Sequence, residues 1–171
     1  MLHTTDAYYP LGQGFSWKYQ TKDGTTYTNA VTGLSPSNPQ EFTMVNSLMN
    51  KEQIMRKEGE SYLTDAFEDN NLQVLLKDNL QKGDTWEIKF KANGLDSILV
   101  MTVKEVGITK EVKGKSYDRV AFIEAESKLL MNGNLMPLNF FTQYYYAQGI
   151  GLILTTTSMG DEQALIDYTI A

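Results

Sequence analysis

The stretch Leu11-Gly12-Gln13-Gly14-Phe15-Ser16-Trp17-Lys18-Tyr19-Gln20 sets the pattern for the whole chain. Apolar Phe15, Trp17 and Tyr19 alternate with polar Ser16, Lys18 and Gln20, and a period of two puts the two sets on opposite faces of a strand. Trp86, Ile88 and Phe90 repeat the arrangement, as do Ala164, Ile166, Tyr168 and Ile170. Turn signals separate such runs: Asp23-Gly24, the 35–39 segment with two prolines, Glu58-Gly59, Gly83-Asp84, Asn93-Gly94, Lys113-Gly114, Asn132-Gly133 and Gly160-Asp161. Gly and Asn tolerate the positive φ that tight hairpins require. The pattern predicts a mainly β protein of about ten strands, α+β at most. Short helices are conceivable over 46–56 and 69–77, although the first also reads as a strand from Phe42 with a turn near Asn50-Lys51.

The opening motif returns. Leu11-x-x-Gly14-x-x-Trp17 recurs as Leu80-x-x-Gly83-x-x-Trp86, each copy a loop Leu, a Gly turn and a strand entered through a Trp. The expectation is one domain, 1–171, with an internal repeat of 11–79 and 80–170. The halves would share a curved, half-barrel-like antiparallel sheet, because either alone leaves its apolar face wet. Trp17 and Trp86 are then expected to be equivalent buried anchors.

Composition excludes several functions. Of 171 residues, 42% are hydrophobic and 21% charged, a globular balance. Lys and Arg number 15 against 21 Asp and Glu, for a net charge of −6. That sign argues against nucleic acid, which needs a dense basic surface. With no Cys and one His, His3, neither a thiolate nor a multi-histidine metal site can form. No cofactor is expected. No apolar run approaches the roughly 18–20 residues of a membrane helix. The opening residues lack the basic stretch and apolar core of an export signal.

Catalytic readings are weak. Glu124 with Glu126, or Asp65 with Glu68, could serve a hydrolase built on paired carboxylates, which needs two acids across a substrate; solvated strand faces explain them as well. Gly149-Ile150-Gly151 leads into a strand rather than a helix, so it reads as a turn and not a phosphate loop. Ser and Thr lack a base to activate them. The densest aromatic run is more informative: Phe140, Tyr144 and Tyr146 share one strand face, and Phe141 and Tyr145 the other. These five could wall a groove for a lipid-like or aromatic ligand, with methionines as adaptable neighbours, or they could simply fill the core.

Tyr8-Tyr9-Pro10-Leu11 followed by Gly14, Trp17 and Tyr19 resembles the opening of a group of uncharacterised bacterial envelope proteins, often lipoproteins. The second Leu-Gly-Trp motif and the closing Tyr146-Ala147-Gln148-Gly149-Ile150-Gly151-Leu152-Ile153 are similar to the same group. Lys113-Gly114-Lys115-Ser116-Tyr117 with Val120 stands where the group has a Pro-Ala-Gly-like turn, without the Pro. The resemblance implies an antiparallel β fold and a periplasmic or outer-envelope setting, and it brings no catalytic residues. The chain departs from the group in lacking a lipidatable Cys and an export signal, which leaves a cytoplasmic setting as the alternative. The expected function is a non-enzymatic binding or structural module of the cell envelope, holding a lipid-like small molecule or an envelope protein on a concave sheet. The alternatives are an interaction domain assembled by edge strands or dimerisation, and the carboxylate hydrolase.

Overall fold

The computed structural model describes residues 6–170, and His3 lies outside them. The chain forms β1 (Ser16–Thr21), β2 (Thr26–Leu34), β3 (Glu41–Asn46), β4 (Lys51–Glu58), β5 (Ser61–Thr64), β6 (Gln73–Lys77), β7 (Thr85–Ala92), β8 (Leu95–Val112), β9 (Lys115–Met131), β10 (Asn134–Ala147), β11 (Gly151–Thr157) and β12 (Glu162–Thr169). All belong to one sheet in the order β6-β5-β4-β3-β2-β1-β12-β11-β10-β9-β8-β7. Successive strands pair by antiparallel ladders within β1–β6 and within β7–β12, and β1 pairs with β12. The result is an up-and-down meander curled into a nearly closed barrel. The mainly β, curved antiparallel architecture read from the alternation is therefore present. The two short helices are not. Residues 46–56 are the end of β3, a turn and β4, while 69–77 are a turn entering β6. Asn50 at φ 49° and Asn70 at φ 61° take the left-handed conformation that Asn tolerates, and that turn chemistry overrides loose helical spacing.

The ends of the sheet, β6 and β7, meet without a ladder. Side chains close the seam instead. The Lys89 and Lys91 backbone N–H groups donate to Gln73 Oε1 (2.9 Å) and Glu68 Oε1 (3.0 Å). Asn71 Nδ2 donates to the Lys89 carbonyl (3.0 Å), and the Trp86 indole donates to the Val74 carbonyl (3.0 Å). Carboxamides and a carboxylate thus take the place of a neighbouring strand's backbone, and the exposed edges that invite aggregation are covered. Phe67 and Phe90 pack across the same seam, with ring centroids 5.4 Å apart.

The two Leu-Gly-Trp motifs build matching turns. Gly14 and Gly83 have φ of 85° and 93°, where an L side chain is strained. In the first copy Phe15 N donates to the Gly12 carbonyl, Gly14 N to Val31 and Val31 N to Phe15. In the second, Asp84 N donates to Gln81, Gly83 N to Val103 and Val103 N to Asp84. The tryptophans themselves differ. Trp17 is fully buried in the core, whereas Trp86 is half-buried at the seam, with Lys77 Nζ 5.6 Å from its ring centroid. The expected equivalence of the two anchors fails because β1 has a ladder partner on both sides and β7 on only one.

A second correction concerns β12. Trp17 pairs with Tyr168, but after a register shift Tyr19 pairs with Leu165. Ile166 sits in that bulge and is 40% exposed, while Leu165 is buried. One extra residue reverses the face parity, so Ala164, Ile166, Tyr168 and Ile170 do not share a face as their spacing predicts.

Residues 6–11 cross one end of the barrel. The Tyr8 backbone N–H donates to Asp78 Oδ1 (2.9 Å), and the Gly149 backbone N–H donates to the Ala7 carbonyl (2.7 Å). Tyr9 packs edge-on against Trp17, with centroids 5.2 Å apart. Beneath them lies a buried polar cluster. The Lys57 ammonium pairs with Asp78, and the Tyr62 hydroxyl donates to the same carboxylate at 2.9 Å. The Tyr9 N–H in turn donates to the Tyr62 hydroxyl (3.3 Å), and Lys57 Nζ lies 4.1 Å from the Tyr62 ring centroid.

Candidate pocket inside the barrel

Inward faces of six strands meet around a pocket of about 160 Å³ that is open to solvent on part of its surface, with the exposed Ala66 among its wall residues. Its apolar wall comes from Tyr9, Met55, Ala66, Phe67, Leu75 and Leu152, with Tyr144 and Tyr146 of β10 on one side. Asn29 of β2, Gln53 of β4 and Thr64 of β5 are its polar members. Local alternation explains each position. Trp17 and Asn29 are cross-strand partners and so share a face, and Met44 stands opposite Gln53 in the same way. Tyr144 and Tyr146 oppose Ile123 and Ala121 of β9, both of which are fully buried.

The pocket is wider than the voids of ordinary core. Interiors are close-packed, with few voids larger than a water molecule. In addition, Asn29 Oδ1 is buried and accepts no hydrogen bond among the described residues. An unpaired buried acceptor costs about 1–3 kcal/mol.

Burial also acts on the tyrosines. It pushes the Tyr144 phenol above its ordinary value, and Tyr146 well above it, the latter helped by Tyr144 and Tyr9 nearby. Burial pushes Tyr27 up to about 12. These raised values favour the neutral phenol in the folded state. The stability they contribute is complete below the ordinary phenol value of 10.0 and is lost as pH rises through the folded values. Absorbance at 295 nm, followed with circular dichroism, should show the buried phenols ionising only as the barrel unfolds. Ionisation of all ten tyrosines with the fold intact would contradict this.

Of the five aromatic residues singled out in the sequence, Tyr144 and Tyr146 stand in the cavity wall. Tyr145 lies on the outer surface, stacked on Phe122 at 4.7 Å with the Lys110 ammonium 4.7 Å from its centroid. Phe140 and Phe141 are half-buried further along β10 and do not line the pocket. Three of the four carboxylates singled out in the sequence have structural partners. Glu124 accepts from Gln143 Nε2 (2.9 Å), Asp65 Oδ1 accepts from the Ile54 N–H (2.8 Å), and Glu68 serves the seam. Sequence reasoning missed Asn29, Gln53 and Thr64. Their signal was a polar residue on an apolar face, in Tyr27-x-Asn29-x-Val31, Gln53-x-Met55 and Tyr62-x-Thr64.

No family model matches the sequence, and no curated protein matches it. Solved structures do. A candidate exported protein of Bacteroides fragilis with a YmcC-like fold superimposes with a TM-score of 0.59 at 10% identity, over 95% of this chain and 98% of that one. The fold is YmcC-like. A candidate lipoprotein of Parabacteroides distasonis gives the same TM-score at 12% identity, again over 95% and 98% of the two chains. At such identities the likeness speaks for the YmcC-like fold alone.

Proposed function

We propose that this chain is a non-enzymatic module of the bacterial cell envelope that holds a small, largely apolar ligand inside its barrel. The observation that carries the reading is the interior pocket, apolar on most sides, with three polar groups among its wall residues. Such a lining, with few polar groups that orient a ligand, is typical of small-molecule sites. The exported-protein and lipoprotein descriptions of the structural neighbours support the envelope setting, as does the resemblance of the opening and closing motifs. The size of the pocket limits the ligand. An engineered cavity of about 150 Å³ holds benzene, so a lipid-like molecule would place only the end of its chain within. We also propose that halves 11–79 and 80–170 derive from one unit, which the matched turns at Gly14 and Gly83 support.

The test is native mass spectrometry of freshly purified protein, followed by titration with an environment-sensitive apolar dye. A co-purifying small mass, or saturable one-to-one dye binding weakened by Tyr146→Ala, is the expected result. Bare protein mass together with no saturable binding would end the reading.

A second reading, as an interaction domain, draws on the end of the barrel opposite residues 6–11. There the turns and the long β8–β9–β10 arm expose Leu48, Met49, Met131, Leu135, Met136 and Met159. Concentration-dependent sedimentation would show self-association. The edges of the sheet favour this reading less, since they are clasped to one another.

A further inference from the structure

We infer that the tip of the β9–β10 hairpin seats the protein on the surface of a neutral phospholipid bilayer. A lipid thereby replaces the second copy as the partner of this end of the barrel, and the interior pocket plays no part. Leu130, Met131, Leu135, Met136 and Leu138 are 37% to 48% exposed, and residues 129–141 contain no Asp, Glu, Lys or Arg. The pairing register decides what can cover them. Leu130 stands opposite Leu135 on one face of the hairpin, whereas Met131 and Met136, each one residue further along its strand, lie on the other. A strand pair bathed in water is ordinarily apolar on one face and polar on the other. A second copy packed on the tip would cover one face, but the surface of a bilayer surrounds both. Neutral lipid also matches the lack of charge, since acyl carbons welcome neither sign.

The neighbouring residues set the depth. The first charge behind the tip on β9 is Lys128, three residues and about 10 Å back from Met131. On β8, Asp96 pairs with Leu130 across the ladder, and its carboxylate lies 3.9 Å from the Lys91 ammonium. β11 joins β10 only at Thr142, so backbone groups of 134–140 on that edge need water or lipid headgroups as partners. The tip therefore enters the headgroup boundary, to about 5–10 Å, and does not cross the hydrocarbon.

The test is sedimentation of the full chain with phosphatidylcholine vesicles, read as the fraction bound against lipid concentration. Saturable binding is expected, weakened about tenfold or more by Leu135→Asp and by Met136→Asp, one on each face. Leu135→Ser and Met136→Ser serve if the aspartate variants do not fold. Met131→Trp reads the depth. Lipid brominated near the headgroup end of its acyl chains should quench the added tryptophan, relative to the unchanged protein, more than lipid brominated near the chain ends. Absence of binding, or binding untouched by either substitution, would overturn the inference. Binding only to vesicles that contain phosphatidylglycerol would overturn the neutral surface and assign the attraction to charge. A dimer formed without lipid, and dissociated by Leu135→Asp or Met136→Asp, would assign the tip to a second copy instead.

Discussion

Trp17→Ala should lower stability by about 3–5 kcal/mol, the range for losing a fully buried large aromatic. The indole has no exposed surface, and it lies edge-on to Tyr9 and donates to the Ile150 carbonyl at 2.6 Å. The surroundings cannot collapse into the space readily. Gly151 is at φ 119°, and a Cβ there would stand 3.0 Å from the Trp17 Nε1, so the backbone of the β10–β11 turn is already in contact with the ring. Removing the ring leaves a void and an orphaned carbonyl together. Trp86→Ala makes the contrast. Its ring is half-buried, and stabilisation scales with area removed from water, so about 1–3 kcal/mol is expected. Urea denaturation of the two variants measures both. Equal losses would mean that the seam is as well packed as the core, contrary to its side-chain closure.

Asp78→Ala should be comparably damaging, for an electrostatic reason. Lys57 is 8% exposed, and its ammonium pairs with Asp78. Breaking a buried pair by removing one partner costs about 3–5 kcal/mol, because the other charge stays buried without compensation. Here the Tyr62 hydroxyl and the Tyr8 backbone N–H lose their acceptor as well. Lys57→Met should cost roughly half as much or less, since Asp78 keeps two neutral donors and is the more exposed partner. The two variants should also differ in proteolysis. Residues 6–11 are tied to the barrel partly through Asp78, so thermolysin should cut within them in Asp78→Ala and spare them in Lys57→Met. Similar protection in both would show that Tyr9 packing alone holds the segment.

How much of this was legible beforehand varies with how local the physics is. Alternation in 15–20 and 86–90, and the Asn-Gly and Asp-Gly pairs, specify strands and hairpins from a few consecutive residues. The mainly β reading therefore needed nothing further. The candidate site was only partly legible. Tyr144 and Tyr146 stood out because aromatic density is visible in one dimension. Tyr145 was drawn in by the same density, yet it faces outward on the opposite side of the strand. Asn29, Gln53 and Thr64 were passed over, although each is a polar residue on an apolar face.

By itself, the sequence determined the strand content, the turns, the absence of any thiol chemistry and the matched Gly turns at 14 and 83. Each of these depends on backbone preference or residue type alone. Tertiary structure decided the rest. The bulge at Ile166 arises only when β12 pairs with β1, and it reverses the parity that local spacing implies. The seam needs β6 and β7 to meet across the closing barrel, far apart in pairing order though near in sequence. The burial of Lys57 follows from the Asp78 carboxylate and the 6–11 segment arriving above it. The pocket exists because inward rows from β2, β4, β5, β6, β10 and β11 converge without quite filling the space between them. A cavity is what packing leaves over. No residue's own preference encodes it, and only the curled sheet does.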